Sequence, residues 1–350
     1  MRVVVMLMII VHHYVVNSGL KADGGPLAEN IFCAKSLVYW CLGAFGKTGT
    51  NVFILITGYF MCESKITIKK FAKLFAELTF YHFVVKLIFF ALGYDALTMD
   101  SLIEWLLPIN YVGYNFAGCF VLFYLFIPFL NILIHNLTEK QHILLLVLFG
   151  GIYVFFGTFK FIGTLEMNYI GWFSVLYLIA AYIRRYPKEI FDRKKFWTYA
   201  LVVMFVMDWI SIIGGAFIGE HFGQKNYTYY LLTDGNAIFA VTTAICIFMF
   251  FKNLKIKYTP VINWFGASTF GVLLLHTASD GERAWLWKTV FNCVATYEKP
   301  YWLLHLLVVP IVVFVICTVI DKLRIRFLEK PFLTWFDRKF ENKISSVLQR

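Results

Sequence analysis

The opening stretch MRVVVMLMIIVHHYVVNSG, residues 1–19, is an apolar run with one basic residue near its start and two adjacent histidines, His12 and His13. Its length is about what a helix needs to cross the hydrocarbon core of a bilayer, ~20 residues. Ionisable side chains are costly in that setting, so each one inside a span is a candidate for function. Helical geometry separates the two imidazoles. Arg2 and His13 are eleven residues apart, which is about three full turns, so they share a face with His13 roughly 16 Å along the axis. His12 points about 100° away from that face.

The rest of the chain confirms the membrane setting. Of 350 residues 60% are hydrophobic and only 15% charged, and the mean hydropathy is +0.71. Soluble domains are about half apolar and a quarter charged, so a water-soluble globule is excluded. The expected fold is all-α, a polytopic integral membrane protein with about ten transmembrane helices near 2–20, 43–62, 73–93, 116–134, 143–161, 169–184, 197–218, 231–251, 260–278 and 302–321. The opening helix lacks a small-residue cleavage site and is expected to be retained rather than removed as a signal peptide. The seven cysteines are scattered without a CxxC or a His/Cys metal spacing, so no metal is expected.

The net charge of +11 reads as topology rather than as affinity for nucleic acid. With ten spans, one side of the membrane carries 23 of the 32 Lys and Arg residues and the other seven. The basic side is the cytoplasmic one. Both termini are therefore expected in the cytoplasm, in a multi-pass protein of the cell membrane. Residues 1–335 form a single transmembrane domain in this reading, and 336–350 a basic cytoplasmic tail. No internal repeat is visible.

Other polar groups mark candidate sites. In WFGASTFGVLLLHTASDGERAWLW, residues 264–287, His276 closes an apolar segment and is followed by Asp280, Glu282 and Arg283. That acid–base cluster suits a substrate-binding role for His276, Asp280 and Arg283. In ESKITIKKFAKLF, residues 63–75, Lys69, Lys70 and Lys73 gather where the third span begins. They serve either topology or a clamp for an anionic ligand. Glu77 and His82 are spaced to pair, Lys86 can snorkel, and Asp208 has no partner legible from sequence. Gly46, Gly49 and Gly58 favour close helix packing. Trp105, Tyr111, Tyr114, Trp285 and Trp287 in the outer loops are candidates for stacking on sugar rings.

Several motifs together resemble the acyltransferase 3 family of ten-helix integral membrane acyltransferases. Arg2, ten residues, then His13 is similar to its arginine–histidine signature. TGTNVFILITGYFM (48–61) resembles its second-helix segment, with Thr57-Gly58-Tyr59 where Ser-Gly-Phe is common. IKKFAKLF (68–75) follows in place, with Lys70 and Lys73 where arginines are usual. FYLFIPFLNILI (123–134), WFSVLYLIAAYIRRY (172–186) and STFGVLLLH (268–276) resemble later segments of the branch that decorates bacterial surface polysaccharides. The likeness runs over roughly 1–335.

The resemblance implies a membrane O-acetyltransferase that moves an acetyl group from cytoplasmic acetyl-CoA to a hydroxyl of an extracytoplasmic or lipid-linked surface polysaccharide sugar. The expected catalytic residues are then His13, Arg2 and His276, with Arg2, Lys70 and Lys73 holding the donor. The residues agree with this picture. A basic mouth suits an anionic donor, and a neutral imidazole can act as general base or carry the acyl group itself. The competing readings are a transporter or flippase for a glycan intermediate, with histidines as proton relays, and an acyltransferase-like scaffold without chemistry. Repeated halves and paired broken helices, the usual signs of a transporter, are not seen, and the Arg–His pair that a scaffold would lose is present.

Overall fold

The computed structural model describes residues 1–96, 98, 116–163 and 168–347. Among them the regular structure is all helical, without a strand. Trp105, Tyr111 and Tyr114 lie outside the described residues.

Helices occupy each of the expected stretches. They are α1 (Arg2–Asn17), α2 (Ala34–Gly43), α3 (Gly46–Met61), α4 (Ile68–Ala91), α5 (Phe116–Asn136), α6 (Glu139–Phe149), α7 (Tyr169–Arg185), α8 (Lys194–Phe222), α9 (Ile238–Lys252), α10 (Pro260–Gly266), α11 (Thr269–Leu275), α12 (Asp280–Ala284), α13 (Trp302–Arg324) and α14 (Lys330–Val347). Five helical segments are long and apolar enough to cross a membrane: Ile68–Ala91, Phe116–Asn136, Glu139–Thr158, Lys194–Phe222 and Trp302–Phe340. The ends follow local chemistry. Thr67 caps α4 and Thr138 caps α6 with a full capping box, while Asn168 accepts from the first amides of α7. Gly223 ends α8 in the left-handed conformation, φ 64°.

Two departures from ten uniform spans matter for function. The ninth segment is broken into α10 and α11 at Ala267–Ser268. Interrupted helices at membrane depth are tolerated only where protein or a cavity surrounds them. The last segment does not stop at 321. It passes through a short π-helical stretch, Ile325–Glu329, into α14.

α1 lies at the centre, packed against α2, α3, α11 and α13, and α3 in turn packs on α7 and α9. The glycines of α3 set these contacts. A Cβ at Gly46 would sit 2.3 Å from the His12 ring, one at Gly49 2.8 Å from Ile9, and one at Gly58 2.9 Å from Ala180 on α7. Without a large hydrophobic gain between helices in lipid, such close backbone approach is what holds them together. Buried polar groups reinforce the same core. Asn51 on α3 donates to the Gly235 carbonyl at 2.6 Å and accepts from the Trp172 indole at 3.0 Å. Asp208, whose partner the sequence does not name, accepts from the Thr243 hydroxyl at 2.8 Å.

A candidate active site at a histidine pair

The break in the ninth segment places His276 at the end of α11, fully buried against α1. Its Nδ1 lies 2.6 Å from the Val272 carbonyl, and its Nε2 lies 2.9 Å from Nδ1 of His13. These contacts assign the protons. A carbonyl only accepts, so the His276 Nδ1 carries a hydrogen. In a neutral imidazole the other nitrogen is then an acceptor. His276 Nε2 must therefore accept from His13 Nδ1–H, which leaves Nε2 of His13 with an unshared lone pair. The chain Val272 C=O, His276, His13 can orient a base by the same logic as a catalytic triad, with a second imidazole in the orienting place.

His12 behaves differently. Its Nδ1 donates to the Gly43 carbonyl at 2.6 Å, and its ring fills the space Gly46 leaves open. It joins α1 to the α2–α3 corner. A further hydrogen bond, 2.7 Å between the Tyr14 hydroxyl and His305 Nδ1, ties α1 to α13. His13 is thus held on a helix fastened to its neighbours.

The other candidates scatter. Arg2 starts α1, exposed, and has no hydrogen bond or ion pair among the described residues. Lys70 donates to the Lys65 carbonyl at 3.1 Å. Lys73 is ion-paired with Glu329 at 2.7 Å, and Lys69 with Asp337 at 2.7 Å, which join α4 to the π-helical stretch and to α14 respectively. Asp280 and Arg283 pair with each other at the rim of α12. Trp287 is fully buried with its ring centre 5.8 Å from that of Tyr14, which removes it as a surface for sugar stacking.

Sequence reasoning missed two features. Arg324, counted there among topological charges, is buried at the junction of α4 and α13. It donates to Asp321 at 2.9 Å and Glu77 at 3.0 Å, pairs with Glu329 at 2.9 Å, and stacks on the Tyr81 ring at 5.3 Å. Tyr81 in turn donates to Asp321 at 2.8 Å. The signal available in sequence was Asp321 one turn before Arg324, the spacing of a helical ion pair. Glu282 was read as a member of the acid–base cluster after His276 but given no role of its own. It is 4% exposed, and its Oε2 has no hydrogen-bond partner among the described residues.

His276, Glu282 and Arg324 all border one lateral cavity of about 650 Å³ between α4 and α13. Among the described residues, no group of three or more His, Cys, Asp or Glu side chains is placed to hold a metal ion.

The family model described as an acyltransferase domain, that of the acyltransferase 3 family, matches residues 1–322. No curated protein and no solved structure matches the chain.

Proposed function

Because the chain belongs to the acyltransferase 3 family, and is thus a membrane acyltransferase, we propose that it is an O-acetyltransferase using cytoplasmic acetyl-CoA and a sugar hydroxyl presented at the opposite side of the membrane. The observation that carries the reading is the hydrogen bond from His13 Nδ1 to His276 Nε2, 2.9 Å long, which leaves the His13 Nε2 lone pair free.

In the proposed reaction, His13 Nε2 takes the proton of the acceptor hydroxyl while its oxygen attacks the thioester carbonyl carbon. The new C–O bond forms, the C–S bond breaks, and the proton passes from His13 to the departing CoA thiolate. His276 accepts a hydrogen bond from the imidazolium that forms transiently and fixes its ring plane. Arg2, on the same face of α1 as His13 and without another partner among the described residues, supplies charge for the CoA phosphates. In this topology both termini are cytoplasmic, the basic start of α4 faces the donor side, and α12 faces the acceptor side. Asp280 and Arg283, at the rim of α12, are the proposed polar contacts for the acceptor.

The test uses purified protein in nanodiscs with radiolabelled acetyl-CoA. Wild type is expected to release CoA, by hydrolysis or by transfer to added glycans, and His13→Ala to lose this while remaining folded. CoA release by His13→Ala at the wild-type rate overturns the proposal.

A further inference from the structure

Lys47 lies in the first turn of α3 and is half-buried. Its ammonium donates to the Tyr169 hydroxyl on α7 at 2.6 Å and meets no carboxylate among the described residues. Lysines expected on the same side of the membrane do meet one: Lys35 pairs with Glu298, Lys160 with Asp234 and Lys225 with Asp23. A half-buried charge matched only by a neutral hydroxyl is costly, because the group has lost water without gaining an opposite charge. Tyr169 is 8% exposed. Its oxygen accepts from Lys47, so its own hydrogen also lacks an acceptor among the described residues. Two N–H groups and one O–H therefore remain to be satisfied at one place, and all three are donors. Such a set takes an anionic oxygen.

The pair is close to the histidine dyad. Gly46 faces the His12 ring and Gly49 faces Ile9, so α1 and α3 run antiparallel and Lys47 is level with the His12–His13 step. Both imidazoles are near enough for its charge to act on them. An aromatic row, Tyr169, Phe116, Phe120 and Phe270, with successive ring centres 5.9–6.2 Å apart, runs from the pair to α11, the helix that ends at His276.

We propose that Lys47 and Tyr169 hold a carboxylate carried by the acyl acceptor, and that the acceptor is an acidic saccharide. The inference rests on the acyltransferase reading for the word acceptor. The donor does not supply the anion: its thioester end is uncharged, and phosphates held at Arg2 are about 16 Å away along α1. One ammonium balances the single charge of a carboxylate, whereas a phosphate monoester carries about −1.5 to −2.

The test compares methyl glucuronide with methyl glucoside, which differ in the carboxylate at C6, on the full-length protein in zwitterionic nanodiscs. Binding is read by saturation-transfer NMR against empty nanodiscs. Wild type is expected to bind the glucuronide at least about tenfold better, the worth of a hydrogen bond to a charged group. Lys47→Met is expected to abolish that preference and Lys47→Arg, which keeps the charge, to retain most of it. Equal binding of the two sugars by wild type overturns the proposal, and so does a preference that Lys47→Met leaves intact. Acetyl-CoA hydrolysis by wild type is followed in the same samples. Hydrolysis without a preference for the glucuronide sinks the acidic-acceptor proposal alone, and a Lys47-dependent preference without hydrolysis or transfer sinks the acyltransferase reading alone.

Discussion

His13 Nδ1 donates to His276 Nε2 across 2.9 Å, and the partner of the proposed base is therefore another imidazole rather than a carboxylate. A neutral orienting group holds the ring without adding negative charge to a site that has to receive an anionic donor. His13→Ala is expected to cut acyl transfer by about 10²–10⁴-fold, the usual contribution of a positioned general base.

His276→Phe keeps the aromatic volume and removes the acceptor for His13 Nδ1–H. Turnover is expected to fall about 10²-fold, with the KM for acetyl-CoA little changed, because the donor side is not touched. Its pH–rate profile is the discriminating measurement. A profile displaced from that of wild type marks His276 as setting the basicity of His13, and a lower but superimposable profile marks it as packing alone.

Gly46 and His12 are a coupled pair. A Cβ at Gly46 would meet the His12 ring at 2.3 Å, so Gly46→Ala is expected to cost about 1–3 kcal/mol through overpacking. His12→Ala loses the bond to Gly43, with a net effect of about 1 kcal/mol. The double variant should be more stable than Gly46→Ala alone, a non-additivity that thermal unfolding in detergent reads directly. Gly214→Ala, where no atom lies within 4 Å of the new Cβ, is the silent control.

Arg324 is the hub of the α4–α13 junction, and its removal takes the buried counter-charge from Glu77 and Asp321 and leaves Glu329 with Lys73 alone. Arg324→Met is expected to destabilise the protein by about 3–5 kcal/mol, the cost of breaking a buried ion pair on one side. Arg324→Lys should recover only part of it, because an ammonium cannot reproduce the planar fork that reaches several oxygens. Yield and melting temperature of the solubilised protein are the readouts.

The three basic residues proposed for the donor should separate. Arg2→Ala is expected to raise the KM for acetyl-CoA and to weaken its dependence on salt. Lys70→Ala should do so less, its ammonium being already in contact with the Lys65 carbonyl. Lys73→Ala should lower the melting temperature instead, through loss of the ion pair to Glu329. Isothermal titration with CoA, beside thermal unfolding, distinguishes the three.

Hydropathy made the helices legible, because composition over ~20 residues is what a bilayer selects. The face shared by Arg2 and His13 was legible for the same reason, being a property of one helix. What lay beyond reach was contact between helices. Nothing in the sequence brings His276 to His13 rather than to a water-facing rim, since that depends on the break at Ala267–Ser268 and on how α11 leans on α1. Arg324 was misread because charge counting treats every basic residue near a span end as topology, and burial is decided by the partners that α4 supplies.

His13 and His276 are 263 positions apart, and a ribosome makes them in that order. The described helices α1 to α9 can form while the imidazole of α1 still lacks its companion. Only when the broken segment arrives and docks does the pair exist. A nascent or prematurely ended chain would thus have much of its helical scaffold and no His13–His276 pair, so under the proposed mechanism acyl transfer would begin only with the completion of its own synthesis.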